Sequence, residues 1–203
     1  MKPVARPLVS ALAALALLTG GAALAQEDHL VDAHTLIEAG ELEHARQALL
    51  EAVDLDPNRV DLHFQLGLLE LRLDNPEAAA FNFSVAAAAF GKRFDLVYNQ
   101  AISLAEAGDF ARASQLLQEA IDAGQIPGEL RAQVLEALGD AQYEAGAFDL
   151  AARTYAQLFD LTGDTTAEYK TLLARFELGE REQLVVPLKR LRVPVGHRTS
   201  KLL

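Results

Sequence analysis

Five histidines are the first side chains in this sequence that could bind a metal ion. A metal site needs three or four ligands that converge on one point. His29 and His34 are five positions apart, so on a helix they point to different sides, unlike the two histidines of an H-E-x-x-H motif. His29 and His63 could lie near each other, but the sequence offers them no obvious third ligand. We interpret the histidines as packing or surface residues and predict no metal ion and no cofactor.

Carboxylates are the other candidates for chemistry, since the chain has 29 Asp and Glu residues. Pairs at helical spacing, such as Glu38 with Glu41 and Asp140 with Glu144, suit acid–base catalysis only in a dry cleft that separates their pKa values. In so acidic a chain, such pairs are typical of a solvated face. The sequence has no G-x-S-x-G, no glycine-rich phosphate loop and no H-E-x-x-H motif. These observations predict that the protein is not an enzyme.

The first 25 residues differ from the rest. They combine two basic residues, an apolar run of 11 residues from Leu8 to Leu18, and small residues ending in Ala23-Leu24-Ala25. This pattern is typical of a secretory signal peptide, and the run is shorter than the about 20 residues that a membrane-spanning helix needs. We predict cleavage before Gln26 and an exported protein, periplasmic or otherwise extracytoplasmic, with a retained N-terminal anchor as the alternative. No later apolar run is long enough to span a membrane.

Charge narrows the possible partners. Residues 26–203 form a chain of 178 residues, enough for one domain with a substantial core. They carry 16 Lys and Arg against 29 Asp and Glu, a net charge of −13. Such a surface repels the phosphates of nucleic acids. The chain has no cysteine, so packing rather than disulfides must supply its stability.

The elements that position these side chains follow from an internal repeat. The stretch LIEAGELEHARQALLEAV (36–53) returns as LAEAGDFARASQLLQEAI (104–121) and, more loosely, as QYEAGAFDLAARTYAQLF (142–159). A period of 34 residues gives repeats 26–59, 60–93, 94–127 and, after four extra residues, 132–165. Three columns of this alignment are nearly uniform: the eighth holds Ala33, Gly67, Ala101 and Gly139, the twentieth holds Ala45, Ala79, Ala113 and Ala151, and the twenty-fourth holds Leu49, Phe83, Leu117 and Tyr155.

These columns predict two packed helices in each repeat. Helices approach closely only where facing residues are small, so we expect the eighth position to meet the twentieth, with the large twenty-fourth residue in the adjoining groove. Gly40, Gly108 and Gly146 can each end a first helix in the left-handed conformation. The second repeat uses Asn75 as N-cap and Pro76 as first helical residue instead. Pro57 ends the second helix of the first repeat, because it disfavours helix at Asp56.

On these residues the sequence resembles the tetratricopeptide repeat (TPR) family, whose period is 34 residues, from 26 to about 165. The resemblance implies an all-α, right-handed α-solenoid of helix-turn-helix repeats, followed here by capping helices at 166–191 and a basic tail at 192–203. One hairpin cannot bury its apolar stripe alone, and stacking builds a continuous core.

The resemblance also implies that the first helices line a concave groove, where solenoids bind their partners. The predicted partner-binding residues are Leu30, His34, Ile37, Phe64, Leu68, Leu71, Tyr98, Ile102 and Tyr143. Most of them form an apolar strip in the first three repeats, edged by acidic residues that dominate the fourth. An exposed strip of this kind predicts binding of a partner helix or extended peptide. The alternatives are that the C-terminal helices or a second copy of the chain cover it.

A basic segment follows Glu182, after which there is no acid. Lys189, Arg190, Arg192, Arg198 and Lys201 give it +5, whereas residues 26–182 carry −18. It either docks on an acidic surface, its own or a partner's, or on anionic lipid, or it is a solvated terminus. Together these features predict a non-enzymatic adaptor of the bacterial cell envelope. The alternative is a self-associating structural subunit of an envelope assembly.

Overall fold

The computed structural model describes residues 33–90 and 93–180. The predicted signal peptide, Leu30, the end of the predicted capping region and the basic tail lie outside these residues. The described residues contain helices and no strand: α1 (33–38), α2 (Leu42–Leu55), α3 (Val60–Arg72), α4 (Pro76–Phe90), α5 (Phe94–Glu106), α6 (Phe110–Asp122), α7 (Arg131–Glu144), α8 (Phe148–Thr162) and α9 (Thr165–Glu177), with a 3₁₀ turn at Gly128–Leu130. None of these helices has the length and apolar character to cross a membrane.

The chain forms two compact units that meet between Asp109 and Phe110. In the first unit α2 packs on α3, α3 on α4, and α4 on α5. In the second unit α6 packs on α7, α7 on α8, and α8 on α9. This consecutive pairing of antiparallel neighbours confirms the predicted all-α, helix-turn-helix fold class.

The second helix of each repeat buries one stripe, spaced by four and then three residues so that its members share a face. The stripe runs Ala45-Leu49-Ala52 in α2, Ala79-Phe83-Ala86 in α4, Ala113-Leu117-Ala120 in α6 and Ala151-Tyr155-Leu158 in α8. Every one of these side chains is buried. The uniform columns of the sequence are therefore the core of both units.

The small eighth position has a different neighbour from the one expected. A Cβ placed on Gly67 would lie 2.7 Å from ring atoms of Phe83, and one on Gly139 would lie 2.5 Å from the Tyr155 ring. The ring of the twenty-fourth position thus lies directly on the eighth-position glycine of the same hairpin. The expected contact between the eighth and twentieth positions is corrected at these two glycines, because the ring needs the space that a side chain would fill.

The turn inside each hairpin uses one residue with positive φ, at the fifteenth position of every repeat: Gly40 (79°), Asp74 (61°), Gly108 (85°) and Gly146 (76°). The expectation that the second repeat turns differently is therefore wrong, because Asp74 adopts the same left-handed conformation as the glycines. The N–H groups of Asp74 and Asn75 donate to the carbonyls of Leu71 (3.3 Å) and Glu70 (2.9 Å), which closes the first helix. α4 begins at Pro76, as predicted.

Buried polar groups in the first unit are matched with partners. The Glu70 side chain, 3 % exposed, accepts from Arg46 Nε of α2 (2.8 Å) and from Asn75 Nδ2 (3.0 Å). The hydrogen bond and the charge of Glu70 raise the pKa of Arg46. His63 is a packing residue: its Nδ1 lies 2.9 Å from Asn82 Oδ1 and its Nε2 lies 3.2 Å from the Pro57 carbonyl.

Candidate functional site

The predicted groove residues of the first unit divide by burial. His34 is exposed, and Ile37, Leu68 and Leu71 are half-buried at the margins of the core clusters. These half-buried side chains keep an accessible edge and can still contact a partner.

Three predicted groove residues are buried instead of exposed. Phe64 is 2 % exposed, Tyr98 0 % and Ile102 3 %. The expectation of an exposed apolar strip is therefore wrong at these positions, and their contact with a partner stays a prediction.

The burial of these residues has visible causes in the first unit. The edge of the Phe64 ring meets the face of Phe83, with ring centroids 5.7 Å apart, in a cluster with Leu96 of α5. The Tyr98 ring lies 5.7 Å from that of Phe94. Nine of the thirteen residues of α5 are buried, so this helix is covered around most of its circumference.

In the second unit, α7 and α9 present a polar network on the faces that carry the groove positions. Lys170 Nζ donates to Glu136 Oε1 (3.0 Å) and to Asp140 Oδ1 (2.8 Å). The Tyr155 hydroxyl also donates to Asp140 Oδ1, at 2.7 Å. The Lys170 ammonium lies 5.4 Å from the centroid of the Tyr155 ring, within reach of a cation–π contact.

This network shifts the pKa values of its members. Burial by itself would lower the pKa of Lys170, but Asp140 and Glu136 outweigh that effect and raise it. Burial, reinforced by Asp140, raises the pKa of Tyr155. Lys170 therefore stays charged and Tyr155 stays a hydrogen-bond donor at neutral pH.

Tyr143 is the predicted groove residue of the second unit, and it is half-buried. Its hydroxyl donates to Glu177 Oε1 at 3.4 Å, and its ring packs edge-to-face on Phe148 with centroids 5.2 Å apart. Burial and the Glu177 charge raise the pKa of Tyr143 to about 12. Tyr143 thus offers a partner a fixed aromatic surface.

Sequence reasoning missed Lys170, although the repeat period contained the signal. Glu136 and Lys170 are 34 residues apart, and so are Tyr143 and Glu177. Both pairs join the same column of successive first helices. Extending the alignment by one repeat beyond residue 165 would have placed Lys170 beside Glu136.

A half-open cleft of about 250 Å³ adjoins this network. Its apolar wall consists of Ala132, Leu158 and Ala167, and its polar rim consists of Gln133, Glu136, Thr162, Asp164, Thr166 and Lys170. Asp164 caps α9 by accepting from the Thr166 N–H at 2.8 Å. The cleft is large enough for one side chain of a peptide, with apolar contacts for a stem and carboxylates for a basic end group.

The chemistry of this face is that of recognition. The side chains of Glu136 and Asp140 are 53 % and 42 % exposed, so water rather than a dry cleft surrounds them. Their partner is an ammonium group that neutralises part of their charge. Within residues 33–90 and 93–180, no three His, Asp or Glu side chains lie close enough together to hold a metal ion.

Comparison with known families defines the class of protein. A TPR repeat model matches residues 33–78, and a tetratricopeptide repeat model matches residues 98–163. These matches cover both units and agree with the hairpins, the turn positions and the buried columns described above. The chain belongs to the tetratricopeptide repeat family. Comparison with curated proteins finds no significant match.

Solved structures share this fold. A crystal structure of MamA is 19 % identical, covers 81 % of this chain and 88 % of its own, and superposes with a TM-score of 0.69. YrrB, described as a TPR protein with an unusual peptide-binding site, is 20 % identical over 84 % of this chain and 90 % of its own, with a TM-score of 0.67. PilF of Pseudomonas aeruginosa is 20 % identical over 84 % of this chain and 75 % of its own, with a TM-score of 0.58.

Proposed function

We propose that this protein is a non-enzymatic adaptor that binds a helix or extended peptide of a partner protein on the inner faces of its first helices. Membership of the tetratricopeptide repeat family supports an interaction scaffold, because such solenoids present extended binding surfaces. The printed description of YrrB shows that a protein of this fold can carry a peptide-binding site.

The observation that carries the proposal is the face formed by α7 and α9. Glu136, Asp140, Tyr143 and Glu177 lie there in two neighbouring columns, and Lys170 is the cation between them. Carboxylates beside an aromatic ring favour a partner with basic and apolar side chains. In the first unit, the half-buried Ile37, Leu68 and Leu71 offer apolar edges to the same kind of peptide.

The test is capture of partner proteins from a cell-envelope extract by the full chain. We expect Glu136→Lys combined with Tyr143→Ala to lose the proteins that the wild type recovers, because the variant removes the aromatic surface and reverses one charge. Asp160→Lys, on the exposed surface of α8 outside the cleft, is the matched control and should recover them all. Circular dichroism must show equal helix content in the three proteins. Recovery of the same proteins by wild type and double variant would refute binding at this face.

The proposed place of action is outside the cytoplasmic membrane. The basic head, apolar run and Ala23-Leu24-Ala25 site of the sequence support export. Mass spectrometry of the protein purified from its native cell tests this point: a chain that begins at Gln26 agrees with it. A chain that still begins at Met1 in the cytoplasmic fraction contradicts it.

A further inference from the structure

The second unit is acidic where its first helices are accessible. Residues 110–180 contain 12 Asp and Glu and five Lys and Arg, a net charge of −7. On the face of α7 and α9, Lys170 balances only part of the charge of Glu136, Asp140 and Glu177. The cleft beside them adds Asp164 to its rim. A cationic segment that also carries apolar residues matches this surface.

The chain itself contains such a segment. Residues 188–193 read LKRLRV, in which Lys189, Arg190 and Arg192 alternate with leucine and valine. Residues 183–203 have five basic residues and no acid. Their composition is what the proposed partner peptide needs.

The distance from α9 to the cleft is within reach of this segment. α9 spans 13 residues, or about 20 Å, from the cleft at its first turn to its last residue, Glu177. Nine residues separate Glu180 from Lys189, and an extended chain of that length covers about 30 Å. The basic residues can therefore return to Glu136 and Asp164 without any rearrangement of α9.

We infer that residues 189–203 dock on the α7–α9 face of their own chain, with a basic side chain in the cleft between Glu136 and Asp164. The docked segment occupies the surface that a partner peptide needs, so a partner must displace it. This regulatory consequence rests on the proposed function, whereas the docking itself does not.

A distance measurement in the full chain tests the docking. The chain has no cysteine, so Leu161→Cys, at an exposed position near the cleft, and Val193→Cys can carry two spin labels without background. We expect a narrow distribution of label distances below about 30 Å, since the docked segment has one position. Glu136→Gln with Asp164→Asn should lower the docked fraction relative to the free fraction by about 2- to 30-fold, because two partly exposed ion pairs are lost.

Controls separate this result from other occupants of the face. Glu129→Gln with Asp149→Asn removes the same charge from the second unit outside the cleft and should leave the distribution unchanged. A mixture of the two singly labelled chains should give no short distance; a short distance there would mean that the segment docks on a second copy. A broad distribution in every variant, or a narrow one that ignores Glu136 and Asp164, overturns the inference.

The proposed function is judged separately. If the distance measurement fails while Glu136→Lys with Tyr143→Ala still loses its partners, only the docking is wrong. If docking is observed and Lys189, Arg190 and Arg192→Gln increases partner recovery, the segment competes with the partner. Docking without any change in partner recovery leaves the face occupied but contradicts its regulatory consequence.

Discussion

Gly139 lies under the ring of Tyr155, which is buried and whose hydroxyl is held by Asp140. We predict that Gly139→Ala lowers the free energy of unfolding by about 1–3 kcal/mol, because a Cβ 2.5 Å from the ring forces a tethered side chain to move. Chemical denaturation followed by circular dichroism measures this loss. Gly128→Ala is the control: nothing lies within 4 Å of its Cβ and its φ is not positive, so it should be neutral or slightly stabilising. Equal stability of the two variants would contradict the packing described here.

Asp74 occupies a left-handed position that glycine holds in the other three hairpins. Its charge also acts on Glu106: burial first, and then Asp74, raise the pKa of Glu106. A raised carboxyl pKa means that the stabilising contribution is present while Glu106 is protonated and is lost as the pH rises through the folded-state pKa. Asp74 therefore destabilises the first unit by strain at every pH and by repulsion at neutral pH.

We predict that Asp74→Gly raises the free energy of unfolding by about 0.5–1 kcal/mol through relief of strain, with a further gain at pH 7 that disappears near pH 3. Asp74→Asn separates the two effects, because it removes the charge and keeps a side chain at positive φ. Its gain should be confined to neutral pH. Urea denaturation at both pH values measures the difference, and a gain for Asp74→Gly that is equal at pH 3 and pH 7 would rule out the repulsion.

At the scale of the elements, the first two hairpins share one buried ion pair. Glu70 of α3 accepts from Arg46 of α2 and from Asn75 at the start of α4. We predict that Arg46→Ala destabilises the chain by about 2–4 kcal/mol, because it leaves a buried carboxylate with one partner fewer. Arg153→Ala is the control, since Arg153 and Asp149 are both exposed and such pairs contribute about 0–1 kcal/mol. A double variant, Arg46→Leu with Glu70→Leu, should recover part of the loss.

Comparing sequence with structure shows which element features a single sequence can predict. The alanine and aromatic columns were predictable because one helix period and one repeat period both place Ala79, Phe83 and Ala86 on a buried face. The left-handed Asp74 was not, because aspartate has no φ preference strong enough to identify the turn. The burial of Tyr98 was not either: its column faces inward in the family, but what covers it depends on three-dimensional packing. Lys170 was predictable in principle from the 34-residue spacing.

At the scale of the whole molecule, charge defines the partners that the protein can have. Residues 33–109 carry 13 Asp and Glu and five Lys and Arg, a net charge of −8, and residues 110–180 carry −7. Both units therefore repel anionic surfaces and favour basic ones. The basic residues after Glu182 are the one part of the sequence with opposite charge, which makes intramolecular neutralisation the economical explanation for their clustering.

The same charge opposes self-association, which is the alternative to an adaptor. Exposed large apolar residues are few among the described residues, and the most exposed, Phe81 on α4, is 64 % accessible. Single exposed side chains are normal on monomeric proteins, whereas a stable interface needs a contiguous patch. We predict that the sedimentation coefficient of the full chain does not change with concentration, because the net charge of −11 keeps copies apart. A coefficient that rises with concentration in the wild type and becomes constant in Phe81→Ser would instead support the structural-subunit alternative and place its interface on the outer surface of α4.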